Sequence, residues 1–83
     1  MASNEIEIHD KIVKVLTAEL DIKKDRVHPK SHIWNDLGAD SLQILDIIMS
    51  LEEEFDIVIS DEAIDIIETV DDIFNEVRKL IAR

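Results

Sequence analysis

The sequence predicts an all-α fold: a small four-helix bundle, three main helices plus one short third helix, with a long loop between helices one and two. Three observations point to it. Apolar residues recur at three- and four-residue spacing in separate stretches. The only Gly and the only Pro, Gly38 and Pro29, both fall in one intervening stretch. Capping residues stand just ahead of the periodic runs. No internal repeat, low-complexity tract or Gly/Ser linker divides the chain, so residues 1–83 are read as a single domain.

In the first stretch, Glu5 to Leu20, the residues Ile8, Ile12, Val15, Leu16 and Leu20 mark a buried face, and Asn4 with Glu7 forms a candidate capping box. Residues 21–39 have no sustained period and contain Pro29, which predicts a long connection with a turn near Ser31 to Asn35. Ile33 and Leu37 are expected to pin that connection to the core. The second helix should run from about Ser41 to Phe55 behind an N-cap at Asp40 or Ser41. Ser60 can cap a short third helix, Asp61 to about Ile67, whose first turn carries Asp61 and Glu62 as the helix dipole prefers. Thr69 with Asp72 caps the last helix, where Ile73, Val77, Leu80 and Ile81 make the predicted buried stripe.

Composition narrows the function. A domain of this size buries roughly 60% of its unfolded surface, too little for a deep catalytic pocket and the core to support it. The chain is expected to be a client of enzymes and not an enzyme. With no Cys it has no disulfide, thiolate nucleophile or zinc–thiolate site, which fits a reducing compartment. Met1 to Glu5 lack the basic region and apolar run of a signal peptide, no stretch reaches the ~20 apolar residues of a membrane span, and cytoplasm is the expected location.

The net charge of -11 is unevenly placed. Residues 1–30 balance six acids against six bases, whereas residues 31–77 hold the other fourteen acids and no Lys or Arg. That field repels nucleic acid and anionic membrane and steers proteins with basic patches toward this half.

Wound at about 100° per residue, the second helix sorts its apolar residues into two groups. Ile44, Ile47, Ile48, Leu51 and Phe55 make an ordinary core face. Leu42, Leu45 and Met49 lie on the other side of Ser41, with Asp46, Glu52 and Glu53 around them. This second stripe is either an exposed docking patch ringed by acids or a further contact with the long loop. Ser41 has an ordinary explanation as a helix-capping hydroxyl. Asp40 caps equally well, however, and would leave the hydroxyl free beside helix N–H groups that favour a phosphate ester. Gly38 and Ala39 are small and would leave room for an approaching enzyme.

The segment Asp36-Leu37-Gly38-Ala39-Asp40-Ser41-Leu42 resembles the modification motif of bacterial-type acyl carrier proteins, and Met49-Ser50-Leu51-Glu52-Glu53-Glu54-Phe55 resembles the second half of their second helix. Weaker similarity continues through Ile59-Ser60-Asp61-Glu62 and Thr69-Val70. The resemblance implies that a phosphopantetheinyl transferase, the holo-acyl-carrier synthase, uses Ser41 Oγ to attack the pyrophosphate of coenzyme A with metal assistance. This leaves 4'-phosphopantetheine on the serine, and the arm's thiol carries acyl groups as thioesters between enzymes of fatty acid or related lipid or polyketide synthesis. It implies that Asp40 presents Ser41 to the transferase and that Asp36, Asp46, Glu52 and Glu53 pair with basic patches on partner enzymes around an apolar centre of Leu42, Leu45 and Met49. It also implies that long acyl chains fold back among Ile33, Leu51, Ile59 and Ile67, and that the carrier works as a monomer without metal ligands of its own.

The chain departs from that pattern at Gln43, Ile44 and Ser60, at Trp34 and Asn35, and at Ile64, positions that bear on partners and cargo more than on attachment. Other classes fit less well. An acidic helical adaptor without a prosthetic group would share the charge pattern. A calcium loop needs Gly at its sixth position, and counting back from Gly38 puts Ile33 at the first ligand. Gly38-Ala39-Asp40-Ser41-Leu42 is not a nucleophile elbow, and His9, His28 and His32 have no ligand spacing.

Overall fold

Among the described residues the periodic stretches form four α-helices, three of them started by side chains that satisfy free N–H groups, and one short 3₁₀ turn lies in the connection between the first two. In the computed structural model, which describes residues 2–82 with side chains from Glu5 onward, α1 spans Ala2–Leu20, α2 Ser41–Phe55, α3 Asp61–Ile66 and α4 Val70–Ile81. Among the described residues the only β pairing is one isolated antiparallel bridge between His32 and Thr69.

Helix α1 already includes Asn4, so Asn4 is not its N-cap, and the side chain expected to cap lies outside those described. The other three starts are side-chain capped. Asp40 and Thr69 each close a reciprocal capping box, and Ser60 Oγ accepts the Ala63 N–H. Helix α2 ends at Asp56, which adopts the left-handed conformation (φ 54°) that Asp tolerates better than most residues.

The apolar faces of α1, α2 and α4 meet in one core, with Ile12, Leu16, Ile33, Leu51 and Val77 completely buried. Each such side chain contributes roughly 1.5–3 kcal/mol by leaving water. The predicted stripe of α1 is buried throughout. In α4, Val70 joins Ile73 and Val77 inside, but Ile81 remains 42% exposed. It is the last helical residue and lies on the rim of a groove with Ile8 and Phe55, at the edge of the bundle.

The long connection is tied down and contains local structure that its lack of periodicity hid. A 3₁₀ turn covers Lys24–Arg26, and a buried Ser31 accepts the His28 N–H and donates to the Arg26 carbonyl. The chain then pairs with the start of α4: Ile33 N–H donates to the Glu68 carbonyl (2.8 Å), Val70 N–H to Ser31 (3.1 Å) and Asp71 N–H to Pro29 (2.8 Å). Ile33 and Leu37 enter the core as expected. These bonds hold the loop over the α2 N-terminus and fix everything around Ser41.

Candidate functional site

Helix α2 begins in a way that leaves its first hydroxyl unused. Asp40 is extended (φ -105°, ψ 178°), and its Oδ1 accepts the Gln43 N–H at 2.8 Å. Gln43 Oε1 in turn accepts the Asp40 N–H at 3.0 Å. With the cap supplied by this pair, Ser41 is the first helical residue and is exposed, and among the described residues no hydrogen bond engages its Oγ. The N–H groups of Ser41 and Leu42 have no partner within the helix, so the hydroxyl stands at the positive end of the α2 dipole. The role of Gln43 was readable in the Asp40-x-x-Gln43 spacing, the capping-box signature, although the position stood out only as a departure from the family pattern.

Gly38 sets the approach to this turn. Its φ is +74°, in the left-handed region where a side chain is strained, while a Cβ there would meet nothing within 4 Å. Conformation, not crowding, requires the glycine. Ala39 does not leave room for an enzyme as its small size predicts: it is buried, with its N–H donating to the Ile33 carbonyl.

The second apolar stripe of α2 faces solvent, with Leu42 at 68%, Leu45 at 52% and Met49 at 56% exposure, so it is not a further contact with the loop. The four acids assigned to the same surface divide in two. Asp36 Oδ2 accepts the His32 N–H at 2.7 Å and closes the turn after Ser31, and Glu52 Oε2 accepts the Ile59 N–H at 2.8 Å and ties α2 to the segment leading to α3. Among the described residues Asp46 and Glu53 have no hydrogen bond or ion pair within the chain, and Glu53 is fully at the surface. Two of the acids are thus structural acceptors, which the sequence does not distinguish from their neighbours. No group of three His, Asp or Glu among the described residues could hold a metal ion.

Beside Ser41 opens a cavity of about 320 Å³ between α2, α3 and the loop. Ile33 and Ile67, expected to face acyl chains, line it, whereas Leu51 and Ile59 are buried in the core away from it. Ile44, Ile47 and Ile48 from α2 and Ile73 from α4 complete an aliphatic floor. Trp34, Ile64 and Asp65 also line it; the family resemblance had put Ile64 beside the acyl cavity, as a larger residue than usual, but had marked Trp34 only as a departure from the pattern.

Comparison with known proteins agrees with this geometry. Residues 10–77 match the family described as the phosphopantetheine attachment site. The chain is 42% identical over 69 residues to the acyl carrier protein of Syntrophobacter fumaroxidans, covering 83% of this chain and 85% of that one. It is 44% identical over 66 residues to that of Chlorobium luteolum (80% and 85% covered). To that of Buchnera aphidicola it is 48% identical over 63 residues (76% and 79% covered).

Proposed function

Because this chain belongs to the acyl carrier proteins of the phosphopantetheine-attachment family, a carrier and not an enzyme, we propose that Ser41 is where its 4'-phosphopantetheine is joined. The observation that carries the assignment is the exposed hydroxyl left without a hydrogen bond by the Asp40–Gln43 cap. When bound, the group supplies a terminal thiol for acyl thioesters, the sulfur that this chain lacks.

The residues around Ser41 suit that group. A phosphate on Ser41 Oγ would meet the unpaired N–H groups of the α2 start, and its charge would be favoured by the dipole. Asp40 holds the helix start rigid, so that the hydroxyl is offered in one position to the transferase that installs the arm. The neighbouring aliphatic cavity gives an acyl chain somewhere to leave water, worth about 0.8 kcal/mol per buried CH₂.

Leu42, Leu45 and Met49 form the apolar centre of the surface that partner enzymes read, with Asp46 and Glu53 as charges available to their basic patches. Exposed pairs of this kind contribute roughly 0–1 kcal/mol each, which makes for brief, salt-sensitive contacts that suit a shuttle. The pathway is fatty acid synthesis or a related lipid or polyketide route in the cytoplasm, served by residues 1–83 as one monomeric carrier domain. No helix among the described residues is long and apolar enough to cross a membrane.

Intact mass after co-expression with a phosphopantetheinyl transferase tests the assignment. The wild type should gain one phosphopantetheine and Ser41→Ala none; an equal gain in Ser41→Ala would put the arm on another residue, and no gain in the wild type would leave an acidic adaptor without an arm.

A further inference from the structure

The cavity beside Ser41 has an aliphatic floor but an aromatic side wall, and that wall comes from the loop. Trp34 lines the cavity and is 40% exposed. The backbone on either side of it is held in place. Its neighbour Ile33 is completely buried, with N–H bonded to Glu68 and carbonyl bonded to Ala39, and the following turn is closed by Asp36 N–H on the His32 carbonyl at 2.8 Å. Ile64 lines the cavity from α3. The cavity is partly open, and its volume of about 320 Å³ is roughly twice the 150 Å³ that accommodates benzene in a dry protein cavity, room for on the order of twelve carbons.

We infer that Trp34 is a length-limiting wall: the cavity takes saturated acyl chains of short to medium length whole, and the ends of longer ones remain outside. The inference rests on the reading of Ser41 as the attachment point. It concerns cargo, not attachment, and the two fail separately.

The test uses the full chain with its arm installed, confirmed by intact mass, and loaded with butanoyl, octanoyl, dodecanoyl or hexadecanoyl groups. As the single Trp of the chain, Trp34 reports directly: its emission should shift to the blue progressively up to dodecanoyl and change no further with hexadecanoyl. Retention on an alkyl column should stay nearly flat through dodecanoyl and rise severalfold at hexadecanoyl, where the end of the chain is exposed. In Trp34→Ala the hexadecanoyl form should be retained about as weakly as the dodecanoyl form. Trp34→Phe, which keeps an aromatic wall, should behave in between and serves if the alanine variant does not fold. Emission indifferent to every chain length, or hexadecanoyl retention unchanged in a folded Trp34→Phe or Trp34→Ala variant, overturns the inference. Absence of the arm from the wild-type mass overturns the attachment itself, before any emission is read.

Discussion

Helices α2 and α4 start alike and end differently. Both open with a reciprocal capping box, Asp40 with Gln43 and Thr69 with Asp72. Helix α4 then follows the dipole along its length, with Asp71 and Asp72 in the first turn and Arg78 and Lys79 in the last. Helix α2 has no acid in its first turn and no base in its last, where Glu52, Glu53 and Glu54 stand instead. It also leaves three large apolar side chains in water. A helix shaped only by stability would resemble α4. The places where α2 breaks local rules coincide with the surface proposed for partner enzymes.

The sharpest way to separate the two helices is to truncate one apolar residue in each. Ile73→Ala, from the buried stripe of α4, should cost about 2–5 kcal/mol in denaturant unfolding. Leu45→Ala, from the exposed stripe of α2, should stay within roughly 0.5 kcal/mol of the wild type, yet lower kcat/KM of the transferase severalfold. A large stability loss in Leu45→Ala would mean that the stripe is core after all.

Next in size come the acids. Glu52→Ala should cost about 1–3 kcal/mol, since the Ile59 N–H loses a charged acceptor. Glu53→Gln should be neutral or slightly stabilising, because it removes a like charge from the negative end of the dipole, while slowing arm transfer more at low salt than at high salt. Equal stability in the two variants would return Glu52 to the docking surface. Loss of either cap comes third: Asp40→Ala and Thr69→Ala should each cost about 1 kcal/mol. Only Asp40→Ala should also slow modification of Ser41, measured by mass against time under conditions where both variants are folded.

Periodicity made the helices and most of the core legible in the sequence, and the Asp36–Leu42 motif made Ser41 legible. Three features were not, each for a physical reason. The 3₁₀ turn at Lys24–Arg26 rests on local bonds over too few residues to leave a periodic trace, and the pairing of His32 with Thr69 on contact between segments far apart in sequence. Glu52 and Glu53 are adjacent acids on one helix, and only the position of the Ile59 N–H tells them apart. The cavity wall consists of whatever residues the loop and α3 bring together, so Leu51 and Ile59, apolar and expected there, went into the core, while Trp34 and Asp65 joined Ile64 in the lining.

The smallest expected effect concerns the cap of α4 and has a defined sign in pH. The Asp72 carboxyl is held below its ordinary value, chiefly by the Glu68 N–H, with hydrogen bonds from Thr69 adding to the effect, partial burial opposing it and His32 contributing weakly. Both N–H groups lie 3.0 Å from Asp72 Oδ2. A carboxyl whose folded pKa lies below its unfolded one contributes stability that is fully present above the unfolded value and is lost as pH falls through the folded one. The stability of the wild type over Asp72→Asn should therefore be greatest near neutral pH and shrink toward zero in acid, as measured by denaturant unfolding across that range. Since the Glu68 carbonyl also accepts the N–H of Ile33 in the loop that carries Trp34, the wall of the cavity should loosen over the same interval. Tryptophan emission of the unloaded protein should then move to the red in acid, before global unfolding, in the wild type but much less in Asp72→Asn. A gap between the two proteins that widens in acid would mean that the folded state favours the protonated carboxyl.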